Sequence, residues 1–513
     1  MAEGIHKEPA GGARDVRGKL LAKVSGDDEM FALGSSVARV VQMATSDDQG
    51  THDLAYYVLS DVALTQRILR LSNTVTYRTA SGLPVTTVSR AISLLGFDTV
   101  KTAALAMMLV DALGASAHAN SVRVELEASL CASLVGRELA KKSHFQGAEE
   151  AAIAALFKNL GPLLVASHAH DSYREINKLA ATGKHTLGQA AQMVLGCSYD
   201  ALSEAVLGEW QIPDVIVRAL SAPPSGVLKV PASRGDWMRQ VAAFGLDVAR
   251  LVARAAEPAE TPEAQALVAR YGQALGIGRG ELEGLFATVR GEMDSLLESM
   301  NMSRAPKADE AAHDAPGLPS VLQQATLNDG GEQEGRHASG KPKNAREQLL
   351  AGLQDVTQMR AAGKAKVNDV IFAVLETLYL SMGFRFATVV LKDLRQGQYR
   401  ARVSFGEEHV ARQAGFVFPL ESRRELFHLA MENDADLMIA DAASPKIREL
   451  LPSWHRALLP DAKSFIVLPL VVNKVQVGLF YGDRTREAPE GVPPDETALI
   501  KALKSQVLAA LGS

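Results

Sequence analysis

The apolar residues of this chain change their spacing once, and that change decides what it can fold into. From about Phe31 to Met300 they recur at intervals of three and four with no run of strict alternation, the pattern of helices that each bury one face. Further on, runs rich in Val, Phe and Ile at 386–391, 399–405, 416–420, 464–472 and 475–481 predict strands. Between the two regimes, residues 301–343 are rich in Ser, Pro, Gly, Asp and Glu and contain no Phe, Tyr or Trp, so they cannot build a core of their own. A chain of 513 residues is too long for one hydrophobic core. The expected organisation is a disordered tail over 1–25, an all-helical domain over 26–300, a disordered linker over 301–345 and an α+β domain over 346–513.

Capping chemistry subdivides the helical half. Val37, Val40, Val41 and Ala44 mark one face of a first helix, which the turn-forming residues 47–50 are expected to end. Thr51 is placed to cap a second helix bearing Leu54, Val58 and Leu59, and Asp61 a third bearing Leu64, Ile68 and Leu71. Residues 81–84 break the pattern. Thr87 then caps a helix through Ala91, Ile92, Leu94 and Leu95, and Gly96 sits where a left-handed C-terminal residue is wanted. The stretch 100–113 is apolar nearly all round and predicts a core helix, with Met107 and Met108 as filler. In the second half a helical stretch over 344–380 precedes the strands, Asn473-Lys474 reads as a tight hairpin turn, and a helix over 495–511 closes the chain.

Composition excludes several functions. A net charge of -5 and a pI near 6.2 provide no basic field for phosphate backbones, and 5% aromatic residues leave few platforms for stacking bases, so no nucleic-acid partner is expected. Cys131 and Cys197 have no paired spacing for zinc or thiol exchange. The apolar stretch 102–110 falls short of the roughly 20 residues that span a bilayer, and residues 1–15 lack the apolar core of an export signal. A cytoplasmic location without membrane association is the expectation.

Three blocks in order carry a family resemblance. Residues 55–65 (AYYVLSDVALT), 68–73 (ILRLSN) and 91–96 (AISLLG) resemble the DPALT, LLRLANS and AIxxLG blocks of HDOD domains, with Val62 where the family has proline. Weaker similarity continues through 153–157 and Trp210-Gln211-Ile212-Pro213. The resemblance implies a helical relative of the HD metal phosphohydrolases that has lost its catalytic residues and serves in bacterial signalling. It marks Asp61, Leu64, Asn73, Gly96, Trp210 and Pro213 as structural residues, with capping and turn roles for Asp61 and Asn73. Where an active HD enzyme would place its His-Asp doublet, Lys158 and Asn159 stand instead. A charged lysine has no lone pair and repels a divalent cation. Tyr199 replaces a later histidine, and 218–223 supply none. No catalytic residue, metal or cofactor is expected.

Rival readings remain. His168, His170 and Asp171 combine imidazole and carboxylate as a hydrolytic metal site would, but residues two apart on a helix point about 200° apart unless the segment is irregular. They define an alternative, a metal-dependent phosphohydrolase acting on a cyclic nucleotide. His52-Asp53 opens a helix, where an aspartate suits the dipole. The glycines of 276–280 and Gly183-Lys184 lack the spacing of a phosphate loop.

The C-terminal half resembles a GAF domain over roughly 367–511, on residues 386–391, 437–441, 465–470 and 477–483. Such a domain implies either a small-molecule ligand or a dimerisation role, and no ligand-binding residue can be named. The expected function is a non-catalytic regulatory protein in which a GAF-like sensor modulates protein–protein interaction by an HDOD-like domain. Its expected partners are other signalling proteins, with a homodimer as a candidate assembly.

Overall fold

The computed structural model describes residues 18, 20–22, 28–43, 48–77, 85–114, 118–145, 147–255, 257–300, 302, 335–361, 366–421 and 424–512. Most of the expected N-terminal tail, residues 303–334 of the expected linker and the break at 81–84 lie outside them. The first half contains α1 (Asp28–Gln42), α2 (Asp48–Leu59), α3 (Val62–Ser72), α4 (Val88–Leu95), α5 (Phe97–Gly114), α6 (Ala119–Lys141), α7 (Glu150–Lys158) and α8 (Leu160–His168). It continues with α9 (His170–Ala181), α10 (Leu187–Leu195), α11 (Tyr199–Glu209), α12 (Asp214–Arg218), α13 (Arg234–Arg254), α14 (Pro262–Leu275) and α15 (Arg279–Ser299). Among its described residues there is no strand, as the three- and four-residue spacing requires.

The second half begins with α16 (Ala345–Ala361) and α17 (Val367–Met382), where the sequence suggested one helical stretch. There follow β1 (Phe386–Asp393), β2 (Gln398–Gly406), α18 (His409–Gly415), β3 (Val417–Pro419), α19 (Leu426–Glu432) and β4 (Leu437–Ile439). Then come α20 (Pro445–Leu450), α21 (Ser453–Leu458), β5 (Ser464–Val472), β6 (Val475–Arg484) and α22 (Pro494–Leu511). The sheet order is β3-β2-β1-β6-β5-β4, and each neighbouring pair is antiparallel. Asn473 and Lys474 join β5 to β6 with φ of 50° and 67°, the left-handed pair that a two-residue hairpin needs to match strand twist.

The chain packs into two compact units. The first comprises Met1–Gly50, Thr74–Thr76 and Phe97–Ser320, and the second Thr51–Asn73, Tyr77–Gly96 and Val321–Ser513. The helices bearing the three HDOD-like blocks therefore lie in the same unit as the sheet.

In the first unit, α6 is the centre, packed by α7 and α13. Small residues permit the close approach: a Cβ on Gly136 would meet Ala151 O at 3.0 Å, and one on Gly245 would meet Ala132 O at 2.8 Å. The stretch Glu150–His168 is long and apolar enough to cross a membrane, but 89% of it is buried in this fold. Trp210 packs against α1, where a Cβ on Gly34 would lie 2.2 Å from its Cδ1. Gly34→Ala is accordingly expected to lower the stability of this unit by about 1–3 kcal/mol, read as a shift in the denaturant midpoint at constant slope.

In the second unit, α16, α17 and α22 pack together, with α17 against β1 and α22 against β5, while α19 contacts β5 and β6. Residues 335–343, inside the stretch read as linker, form a bridged turn in which Arg336 pairs with Pro342. Lys341 anchors it: only 2% exposed, it reaches Glu496 at 2.5 Å and donates to Gly491 O at 3.2 Å. A lysine so placed resembles a linker residue in composition, and only a distant carboxylate makes it structural.

Candidate functional site

The two positions that replace the HD doublet lie at the α7–α8 junction, and each is committed to an internal partner. Lys158 is buried, pairs with Asp200 Oδ1 at 2.8 Å and donates to Leu220 O. Asn159, wholly buried, donates through Nδ2 to Glu125 O at 2.9 Å and to Glu125 Oε2 at 2.8 Å. Tyr173 donates to the other Glu125 oxygen at 2.6 Å. Burial, reinforced by Glu125, pushes the Tyr173 and Tyr199 hydroxyls well above the usual phenol range. Asn159 Oδ1 and Tyr199 OH have no hydrogen-bond partner among the described residues. Donors thus stand where a divalent cation would need lone pairs, and the residues present do not fit a metal.

His168 ends α8 and His170 starts α9, with Ala169 between them at φ -142° and ψ 53°. The segment is irregular at the point where a shared site would require it. The His170 ring nevertheless goes elsewhere, stacking on His118 with centroids 3.8 Å apart and planes within 5°. Burial first, then His118, lowers the His170 pKa from its ordinary value. Asp171 is exposed. Among the described residues no group of three or more His, Cys, Asp or Glu is placed to hold a metal ion.

The HDOD-like blocks are held by local backbone chemistry. Asp61 caps α3 by accepting from Leu64 N at 3.0 Å, and the buried Leu64 side chain anchors the same turn in the core. Thr65 ties α3 back to α2 by donating to Val58 O at 2.7 Å. Asn73 is a two-way clamp. Its Nδ2 donates to Leu69 O at 2.7 Å and Val85 O at 2.8 Å, while its Oδ1 accepts from Val85 N at 2.8 Å. Thr87 caps α4, and Gly96 ends it at φ 89° but with ψ 149°, a positive-φ extended residue instead of the left-handed helical one expected. The expected cap at Thr51 is not one, because α2 already starts at Asp48. In the first unit, Trp210 caps α11, Gln211 takes φ 55°, Ile212 N reaches back to Leu207 O at 3.0 Å, and Pro213 precedes α12. This is a Schellman-type ending in which a non-glycine residue accepts the left-handed conformation.

The second unit adds residues that sequence reasoning passed over. Glu376 of α17 is wholly buried and caps α4 from outside it, accepting from Val88 N, from Ser89 N at 3.3 Å and from Ser89 Oγ at 2.5 Å. Burial raises its pKa to about 7, with the Ser89 and Val88 bonds opposing. His52 stacks on Phe372 of α17 at 4.7 Å and meets Asp369 at 3.3 Å, while Tyr56 contacts Phe372 and Phe405. Arg90 of α4 faces Asp355 of α16 at 3.7 Å. The blocks of the resemblance are therefore clasped by α16 and α17. An acidic residue in an apolar helix was the available signal for Glu376, but nothing in the sequence names its partner.

Beneath the sheet, Phe416, Phe427, Trp454, Phe465 and Tyr481 occupy the space between the strands and the 409–458 segment. A polar thread runs through them. Tyr481 donates to Asp483 Oδ2 at 3.1 Å, Arg385 holds Asp483 Oδ1 at 2.9 Å, and His455 Nε2 lies 2.8 Å from Tyr481 OH. Since the tyrosine gives its proton to Asp483, His455 must donate through Nε2. Burial, then Arg385, lowers its pKa to about 3 and keeps it neutral.

Residues 30–223 match the HDOD domain family model. No curated protein matches the chain. Among solved structures, a putative phosphohydrolase from Shewanella amazonensis SB2B is 17% identical, with 55% of this chain and 98% of that one covered and a TM-score of 0.42. An HDOD domain protein of unknown function from Geobacter sulfurreducens is 15% identical, covering 58% and 94%, with a TM-score of 0.37. The GAF domain of an Acinetobacter phosphoenolpyruvate-protein phosphotransferase is 13% identical, covering 32% and 92%, with a TM-score of 0.26. The block residues, the family model and the helical architecture agree: this chain carries an HDOD domain over residues 30–223.

Proposed function

We propose that this chain is a non-catalytic signal-transduction protein in which a GAF-like C-terminal domain modulates the protein–protein interactions of its HDOD helices. One observation carries the reading. At the positions where an HD enzyme holds its metal, Lys158 and Asn159 are buried and bound to Asp200, Leu220 and Glu125. Donors held in place by buried acceptors make this a structural element, and the cost of disrupting those bonds opposes any catalytic rearrangement. The clasp of α4 by Glu376 supports the second part of the reading, because a change in α17 is transmitted to a family block through a buried hydrogen-bonded contact.

Metal analysis of the full chain, purified without chelator, tests the proposal. The expected result is no stoichiometric transition metal and no hydrolysis of a cyclic dinucleotide. One or two metals per chain, lost in His168→Ala, would overturn it in favour of a phosphohydrolase using His168, His170 and Asp171.

A further inference from the structure

We infer that the contact of α2, α3 and α4 with α16 and α17 is a releasable latch, from which the three helices part as one body while the sheet stays folded. Thr51–Asn73, Tyr77–Gly96 and the C-terminal segment belong together in the second unit, so the latch lies within it. The inference rests on the reading that the C-terminal domain modulates the HDOD helices, and it gives that modulation a moving part.

Each side of the contact is braced within itself. Thr65 ties α3 to α2 through Val58 O, and α3 packs on α4. Asn73 joins Leu69 O of α3 to both backbone groups of Val85, just ahead of α4. On the other side α16 packs on α17 and α22, and α17 packs on β1. None of these ties crosses the contact, so parting there leaves every one of them in place.

The seam itself is bridged by side chains and is incompletely filled. A half-open cavity of about 370 Å³ runs along it, with Leu69 and Val85 on one wall and Leu380 and Phe384 on the other. Protein interiors keep few voids larger than a water molecule, so this contact is packed less well than a permanent core. Its ion pairs, Arg90 with Asp355 at 3.7 Å and His52 with Asp369 at 3.3 Å, are partly exposed and therefore hold it weakly. The deepest tie is the Glu376 carboxylate, which accepts from Val88 N, Ser89 N and Ser89 Oγ. Parting returns that carboxylate to water, and its hydration offsets part of the loss of those bonds. Polar interfaces between parts of one chain are the ones that move. Opening presents His52, Tyr56, Arg90 and the first N–H groups of α4 to solvent.

Spin labels on Arg70→Cys in α3 and Lys501→Cys in α22 test the latch, with their separation measured in the full chain by double electron–electron resonance. Both positions are exposed, whereas Cys131 and Cys197 are buried and stay out of the labelling reaction. A longer distance is expected beside the main one. Glu376→Ala should raise the ratio of long to short about tenfold and Arg90→Glu about threefold, with Asp355→Arg added to Arg90→Glu restoring the parent ratio. Should Glu376→Ala fail to fold, Arg90→Glu and its rescue decide the matter. A single distance shared by the parent and the variants would overturn the inference, as would disorder confined to α4 with the separation of α3 and α22 unchanged. Bound metal would overturn the regulatory reading and leave these distances as expected, so the two failures are told apart.

Discussion

Asn159→Asp is expected to destabilise the first unit by about 3–5 kcal/mol at pH 7, although the two side chains have nearly the same shape. The asparagine Nδ2 faces two acceptors, Glu125 O at 2.9 Å and Glu125 Oε2 at 2.8 Å, at a position with no exposure to water. In the variant a carboxylate oxygen would confront both, and Tyr173 already occupies the second oxygen of Glu125. Two carboxylates at hydrogen-bond distance cannot both ionise, so one takes up a proton and its folded-state pKa rises above the unfolded value. A raised carboxylate pKa gives stability that is fully present below the unfolded value and lost as pH rises through the folded one. The deficit should therefore shrink in urea titrations at pH 5 relative to pH 7. A variant as stable as the parent at both pH values would mean that Asn159 is not held by Glu125 in solution.

Glu376→Ala should lower the stability of the second unit by about 3 kcal/mol at pH 6, because it strands Val88 N, Ser89 N and the Ser89 hydroxyl in a buried cavity. Hydrogen exchange should show the loss first at the start of α4. The parent carries its own pH dependence. Burial raises the Glu376 pKa from 4.5 to about 7, so its contribution is complete below pH 4.5 and is lost as pH rises through 7. The gap between parent and Glu376→Ala should accordingly narrow above pH 7. Glu376→Gln should cost about 1 kcal/mol and abolish the dependence, since Ser89 Oγ can accept from the new amide. A parent whose second unit is equally stable at pH 5 and pH 8 would contradict this assignment.

What the sequence disclosed, and what it withheld, follows from the reach of each interaction. Asp61, Thr87 and the Asn473-Lys474 turn act over two to four residues, and their roles were readable because all participants are neighbours in the chain. The strands β1, β2, β3, β5 and β6 announced themselves by composition, whereas β4 was marked only as part of the GAF-like segment 437–441. The partners of Glu125 and Glu376 were hidden for a different reason. Each acts on a partner 34 or 287 positions away, and neither the lone carboxylate of Glu125 nor the acidic residue in the apolar α17 says which distant group it will meet. The replacement of the HD doublet at Lys158 and Asn159 was visible only through the family comparison, and the partners that hold both residues were visible only in three dimensions.

The aromatic packing beneath the sheet has a spectroscopic consequence. The chain has three tryptophans, and of these Trp210 and Trp237 lie in the first unit while Trp454 lies in the second. The partly buried Trp454 stands over Phe418 with ring planes within 6° and meets Phe416 edge-on at 4.9 Å, so its emission is set by aromatic neighbours that unfolding would replace with water. With Trp210→Phe and Trp237→Phe, the remaining indole becomes a private reporter. Its red shift would follow the melting of the sheet-bearing unit alone, and comparison with the parent would tell, without any label, whether the two halves of this molecule come apart together or in turn.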